Sequence, residues 1–361
     1  MISRKEDFLI YGSYGYTGNL IAHLAVERGF HPVLAGRNRK KLEKQAAELG
    51  VSCLSFSLDD PTDIDRALAG FPVVLHCAGP FSHTYDAMAS ACLRTRTHYL
   101  DITGEIAVFE ALAARHQDAF EAGVMLLPGI GFDVVATDCL AAHLKRRLPE
   151  ASHLALAFRP VGSRFSRGTA SSAVERAPKG GLIRHDGRLT PVPAASKTRP
   201  VDFGRGPVPA VMIPWGDVST AYYSTGIPNI EVFIALPAIV RKLFPLTRYL
   251  GGLLSLSVIQ KALKSLLVLV PPGPSAGQRA RGFTLLWGEV RDAGGNRAVT
   301  LARTPESYAF TALAAMAAVE KILAGQAPPG FQTPSLAFGA DFLLEIEGAT
   351  RADIPLATDE F

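Results

Sequence analysis

A chain of 361 residues with 48% hydrophobic side chains carries enough apolar mass for a large folded core, and its length suggests two domains. Its formal net charge of only +4 gives no electrostatic footprint for nucleic acid. Four cysteines, Cys53, Cys77, Cys92 and Cys139, stand far apart with no C-x-x-C pair, so buried thiols in a reducing, cytoplasmic compartment are expected, with no metal site.

Phe8 to Tyr11 reads as a strand that starts too early to leave room for a signal peptide. It runs into "YGSYGYTGNL", where Gly12, Gly15 and Gly18 fall at a spacing of three and Ser13, Tyr14, Tyr16 and Thr17 fill the gaps. Asn19 to Arg28 reads as a helix, with Leu20, Ile21, Leu24 and Ala25 at helical spacing. A strand that turns sharply into a helix leaves unpaired N–H groups that attract an anion. Glycine lets the backbone take positive φ and lets a pyrophosphate approach. The spacing is G-x-x-G-x-x-G rather than G-x-G-x-x-G, so the motif gains its meaning only from the elements around it.

A second strand comes next, His31 to Ala35, ending in "GRNRKKLEKQ". An NAD site places an acid near this strand end to bind the ribose 2′-OH. No acid occurs between Phe30 and Leu42, and Arg37 and Asn38 stand there instead, trailed by Arg39, Lys40 and Lys41. A guanidinium pairs with a 2′-phosphate that a carboxylate would repel, so NADP(H) is the expected cofactor.

The alternation continues with strands at Ser52 to Leu58, Val73 to Gly79 and His98 to Asp101, and a sixth in "VMLLPGIGFD". Helices are expected at Pro61 to Ala69, 83–94 and 106–122. This is the α/β pattern of a doubly wound parallel sheet, a Rossmann domain. Short-chain dehydrogenases share that fold and use Tyr-x-x-x-Lys, but none of the nine tyrosines has a lysine four residues later.

The series "GSYGYTG", "LAGRNRKKL", "VVLHCAGPF", "THYLDITGE" and "PGIGFDVVATDCLA" resembles the saccharopine dehydrogenase-like oxidoreductases, which include saccharopine reductases and trans-acting enoyl reductases. The resemblance implies an NADP-binding Rossmann domain and a second α+β domain of mixed sheet and helices. It implies that Gly12 to Gly18 hold the pyrophosphate and that Arg37 and Asn38 hold the 2′-phosphate. Cys77, Ala78, Gly79, Pro80 and Phe81 would meet the nicotinamide ribose. An independent argument agrees, because ligands of an open parallel sheet sit beyond the carboxyl ends of the strands, where these loops emerge.

Reduction needs a proton donor beside the hydride. Asp101 ends the fifth strand, with Thr103 and Glu105 in the loop behind it, and a desolvated carboxyl group has the chemistry for that task. Thr103 and Glu105 are equally explained as caps of the helix from Ile106. His83 is a further candidate donor, whereas His98, within a strand, reads as a core residue.

After Leu148 the alternation breaks. A strand is expected at Ser152 to Phe158 and a helix at 169–183, with Arg159, Arg164, Arg167 and Arg176 either gripping an acidic ligand or lying in solvent. Residues 186–210 read as loop or hairpin, then Thr220 to Ser224 and Asn229 to Ala235 as strands. Phe283 to Arg291 and Ala298 to Arg303 form a hairpin, with a helix behind it at 305–324. From Ile234 to Val270 there is no acid, while Arg241, Lys242, Arg248, Lys261 and Lys264 are basic. Three readings of these apolar helices stay open: a homodimer interface, a lid over an apolar substrate, or a peripheral membrane contact.

The domains expected are 1–148 for the cofactor, 149–304 for substrate and dimerisation, and 305–361 as a C-terminal helix and tail returning to the first domain. The functional expectation is an NADPH-dependent oxidoreductase that reduces a C=C or C=O bond of a hydrophobic, acyl or polyketide-like small molecule. A saccharopine-type imine reductase or amino-acid dehydrogenase is the second reading, and a non-catalytic, membrane-associated NADP-binding protein the third.

Overall fold

The N-terminal alternation forms an all-parallel sheet in the computed structural model, which describes residues 8–164, 166–176, 180–238, 256–266 and 271–355. Its strands are β1 (Leu9–Tyr11), β2 (Val33–Gly36), β3 (Cys53–Ser55), β4 (Val73–His76), β5 (His98–Asp101) and β6 (Met125–Leu127). They lie in the order β6-β5-β4-β1-β2-β3, and a short strand at Gly330–Phe331 adds in parallel beside β6. Leu9, Ile10, Val74, Leu75, Leu100 and Leu126 are fully buried, as expected of strands covered on both faces.

The helices between these strands are α1 (Tyr16–Glu27), α2 (Arg39–Leu49), α3 (Pro61–Leu68), α4 (Tyr85–Thr95), α5 (Ile106–Ala113) and α6 (His116–Ala122). Local chemistry explains their ends. Asn38 caps α2 by accepting from the Lys41 N–H at 3.0 Å, and Gly50 closes it in the left-handed region. Asp60 caps α3 through the Thr62 N–H at 2.8 Å, with Pro61 at the first helical position. The single helix expected at 106–122 is two, α5 and α6, because the chain leaves helical geometry at Arg115.

The chain divides into two units, one formed by residues up to Val135 together with Tyr308–Phe338, the other by Ala136–Ser307 and the residues from Gly339 onward. The returning helix, Ser307–Leu323, is held in the first unit by Thr311, whose hydroxyl accepts from the Phe132 N–H at 3.0 Å, and by an Arg28–Glu320 ion pair at 2.8 Å. The expected return of the whole 305–361 segment is corrected by the chain's last strand. Thr350–Ile354 pairs antiparallel with a strand of the second unit, so only the middle of that segment stays with the first.

The second unit holds α7 (from Ala136 to Arg147 of Val135–Arg147) and strands β7 (His153–Val161), β8 (Gly181–His185), β9 (Arg188–Val192), β10 (Thr198–Asp202), β11 (Pro207–Met212), β12 (Asn229–Ile234), β13 (Phe283–Arg291) and β14 (Arg297–Pro305). The order is β10-β11-β12-β7-β13-β14, with Thr350–Ile354 outside β14, and the β8/β9 hairpin joins β12. Only β12 and β7 run parallel among these described pairs, so the sheet is mixed.

Two expectations are corrected here. The helix placed at 169–183 is Arg167–Arg176, and Gly181–His185 is a strand, because Asp186 and Gly187 make a two-residue turn with positive φ at both positions. Thr220 to Ser224 lies in a helix, Asp217–Thr225, with Asp217 in its first turn and Gly226 closing it at φ 67°. The stretch 186–210 forms hairpin strands, and the turn before β11 is tied by Asp202, whose Oδ1 accepts from the N–H groups of Gly204, Arg205 and Gly206. Of the apolar stretch, residues 239–255 and 267–270, with Leu253 and Leu254, lie outside the described residues; Ser257–Leu266 is a helix.

Gly288, in the middle of β13, faces α7 so closely that a Cβ would stand 2.5 Å from Leu144 Cδ1 and 3.2 Å from Leu140 Cδ2. Valine suits a strand, so Gly288→Val isolates the packing effect. It should lower stability by about 1–3 kcal/mol, and a melting temperature at or above that of the native protein would show that α7 does not press on this strand.

Candidate cofactor site

The first unit brings the glycine loop, the end of β2 and the loops after β4 and β5 to the carboxyl edge of its sheet. Gly12 sits at φ 83°, and a Cβ there would lie 2.9 Å from both Cβ and N of Ala78. A Cβ on Gly18 would lie 2.5 Å from the Gly12 carbonyl oxygen, so α1 begins directly against the loop. Gly15 occupies the cap position of α1 with no side-chain cap, and no acid stands in the first turn. This bare, positive helix end in a cradle without Cβ atoms fits a pyrophosphate.

The other loop residues divide in role. Ser13 is buried and donates its hydroxyl to Gln45 Oε1 at 2.8 Å, while Gln45 Nε2 donates back to the Ser13 carbonyl at 3.0 Å. Its side chain therefore ties loop to α2. Tyr14 lies under Gly36 and accepts the Asn38 N–H at 3.3 Å on its hydroxyl, with Lys41 5.7 Å from its ring centre. Tyr16 packs edge-on against Tyr308 at 5.2 Å, and Thr17 is partly exposed in the first turn of α1.

At the end of β2 the cations are not equivalent. Arg39 pairs with Glu43 at 2.7 Å and Lys41 faces Tyr14. Arg37 is exposed, and its guanidinium makes no hydrogen bond or ion pair among the described residues.

Parallel register sets Tyr11, His76 and Asp101 side by side at the ends of β1, β4 and β5. Asp101 is fully buried: Oδ1 accepts from the N–H groups of Thr103 at 2.9 Å and Gly129 at 2.8 Å, and Oδ2 accepts from the Tyr99 hydroxyl at 2.6 Å. Burial pushes its carboxyl up to about 6, against the pull of those three hydrogen bonds. Thr103 accepts the Glu105 N–H at 3.1 Å. The Glu105 carboxylate accepts from the N–H groups of Phe81 and Ser82, each at 3.0 Å, and so holds the turn Phe81–His83.

These loops match a known domain. Residues 8–127 fit the saccharopine dehydrogenase NADP binding domain. The first unit carries a saccharopine dehydrogenase-type NADP-binding domain. A trans-acting enoyl reductase of Mycobacterium leprae is 31% identical over 155 residues, covering 41% of this chain and 37% of that protein. The saccharopine dehydrogenase-like oxidoreductase of Bos taurus is 28% identical over 218 residues, 53% of this chain and 51% of its own. The matches thus span about a third to a half of these relatives' lengths. In fold, the chain is similar to the apo, histidine-tagged saccharopine dehydrogenase (L-Glu forming) from Saccharomyces cerevisiae, with a TM-score of 0.64 at 13% identity over 97% of this chain and 100% of that one.

Within the NADP-binding domain, the loop Cys77–Phe81 is fastened from both sides. Cys77 N–H donates to the Tyr11 carbonyl at 2.7 Å, its thiol pushed up by burial, and the peptide between Gly79 and Pro80 is cis. His76, absent from the sequence-based candidates, is fully buried and held neutral, its pKa pushed down to about 3 by burial. Its Nε2 lies 2.9 Å from the Thr84 hydroxyl, which donates to the Ala78 carbonyl at 2.8 Å. That order makes Nε2 the protonated nitrogen. The signal was in "VVLHCAG": a histidine inside an otherwise apolar buried strand. His98 behaves as a core residue, accepting the Met125 N–H at 3.0 Å.

His83 is exposed, and its ring makes no hydrogen bond among the described residues. Of the four candidate catalytic side chains, Asp101, Thr103 and Glu105 are engaged in holding backbone, and His83 is the one with a ring still open to a reactant.

Two outcomes are expected. Arg37→Asp should weaken NADPH by at least ~2 kcal/mol, more than tenfold, and leave NADH nearly unchanged; equal losses for both cofactors would contradict the 2′-phosphate contact. For Asp101 the folded pKa of about 6 lies above the ordinary carboxyl value of 3.8, so its contribution is most favourable below about pH 4 and is lost as pH rises through about 6. Asp101→Asn removes that titration and should gain on the native protein by about 2–3 kcal/mol between about pH 4 and pH 7 in denaturant melts. Parallel stability curves would show that Asp101 titrates normally.

Proposed function

We propose that the protein is an NADPH-dependent reductase of a C=C or C=O bond in a hydrophobic, acyl- or polyketide-like substrate. The observation that carries the bond type is the 31% identity to a trans-acting enoyl reductase over 155 residues, 41% of this chain. The leucine-rich, acid-free stretch from Ile234 to Val270 supports an apolar substrate.

NADPH, when bound, supplies the hydride. The glycine loop holds its phosphates at the bare end of α1, and Arg37 selects the 2′-phosphate. Reduction then requires one proton, and we assign its donation to His83. The neighbouring backbone fixes this ring's position: Glu105 grips Phe81 and Ser82 on one side, and His76 grips Thr84 on the other. Asp101, with both carboxylate oxygens engaged by donors, fastens the ends of β5 and β6 and is assigned a positioning role.

The test is NADPH oxidation followed spectrophotometrically with enoyl thioesters and aliphatic ketones of increasing chain length. Turnover should rise with chain length. His83→Gln should lower kcat by ~10²-fold or more with NADPH affinity unchanged. An unaltered kcat would remove His83 from the chemistry. Turnover confined to an amino acid paired with an oxo acid or aldehyde would favour the saccharopine-type reading, and NADPH binding without turnover on any of these would favour a non-catalytic protein.

A further inference from the structure

Seven large hydrophobic side chains are exposed among the described residues, and three of them, Leu256 at 51%, Val258 at 76% and Leu266 at 60%, fall within one short helix and the residue before it. The helix is Ser257–Leu266. Val258, Ala262 and Leu266 recur at every fourth residue and form one stripe, with exposed Lys261 and Ser265 beside it. The other side is occupied: Ile259 and Leu263 are half-buried, and Gln260 Nε2 donates to the Val174 carbonyl of helix Arg167–Arg176 at 2.9 Å. Packing inside the unit therefore accounts for one face and leaves an apolar stripe in solvent.

The surrounding sequence says what that stripe fits. From Val232 to Gly288 there is no Asp or Glu, while Arg241, Lys242, Arg248, Lys261, Lys264, Arg279 and Arg281 are basic. The whole chain's net charge is +4, so these seven cations leave the remaining residues with a net charge of −3. The positive excess of the protein thus falls in one stretch of the sequence, and the helix with the exposed apolar stripe belongs to that stretch. A second copy of the chain would bring like charge to like charge, which is repulsive. An anionic bilayer matches both the charge and the apolar stripe, and a short amphipathic helix lies in such an interface rather than crossing it. No helix among the described residues is long and apolar enough to cross a membrane.

We infer that the protein docks peripherally on an anionic lipid surface through Leu256, Val258 and Leu266, with the exposed Lys261 beside them supplying electrostatic attraction. This draws on the same stretch that supports the apolar substrate above, but it concerns the outward face of one helix and is tested by vesicle binding rather than by turnover.

The experiment is co-sedimentation of the full chain with vesicles of phosphatidylglycerol and phosphatidylcholine in equal amounts, and with phosphatidylcholine alone. The native protein should sediment with the mixed vesicles, far less with the neutral ones, and less again as salt is raised. Leu256→Ser/Val258→Ser/Leu266→Ser should reduce binding to the mixed vesicles at least ~tenfold, with melting temperature and NADPH affinity unchanged. Val258→Ser alone, at the most exposed position, should give a smaller loss in the same direction. Absence of vesicle binding by the native protein, or equal binding by native and triple variant, would overturn the inference. So would a triple variant that binds vesicles normally but sediments as a smaller particle, since the stripe would then join copies of the chain.

Discussion

The cofactor domain depends on a contact of backbone against backbone at Gly12. The Gly12 N–H reaches the Ala35 carbonyl at 2.7 Å, and the Cys77 N–H reaches the Tyr11 carbonyl at the same distance. With a Cβ at Gly12 or Gly18 the loop, the start of α1 and Ala78 could not occupy their places. Removing side chains from this junction has an electrostatic consequence. The first turn of α1 carries no side-chain cap at Gly15, so its partial positive charge is turned outward and is available to an anion. Steric necessity and phosphate affinity are two aspects of the same glycine spacing.

Around this junction the loops are held by buried polar groups. A neutral histidine, two tyrosines and a carboxylate are expensive to bury unless hydrogen-bonded, and here the partners are mostly loop backbone. Asp101 satisfies N–H groups at residues 103 and 129, Glu105 those at 81 and 82, and Thr84 the Ala78 carbonyl with His76 behind it. His76 Nδ1 has no hydrogen-bond partner, a cost accepted within a ring cluster of Tyr11, Phe81 and Tyr99. Such a network has one satisfied arrangement, so it specifies loop shape more than it adds stability.

The parallel sheet was legible because burial on both faces gives continuous apolar runs and because helix signals such as Asp60-Pro61 and Gly50 are local. His98 to Asp101 matches to the residue. The cation-rich end of β2 was legible for the same reason. The side-chain roles at the site were not, because they depend on long-range pairs: Ser13 with Gln45, and Glu105 with a turn 24 residues earlier. In the second unit the failures had visible signals. Asp186-Gly187 is a hairpin turn that the helix pattern obscured, and Thr220 to Ser224 lies in a helix that has Asp217 in its first turn and Gly226 closing its end.

Charge in the second unit is segregated, and that segregation shapes its surface. Glu289, almost wholly buried, faces Arg199 and Arg291; Asp341 binds Arg146 and Arg351, which hold its carboxyl well below the usual range; Glu231 binds Lys197. Acids on this unit's sheet and termini are thus largely neutralised by neighbouring bases. The cations between Val232 and Gly288 have no acid within their own stretch to do the same. Paired charges largely cancel, whereas neighbouring charges of one sign add within the Debye length of about 8 Å. The acid-free stretch is therefore where this unit's sequence carries unbalanced positive charge, and the helix Ser257–Leu266, with its exposed apolar stripe, belongs to that stretch.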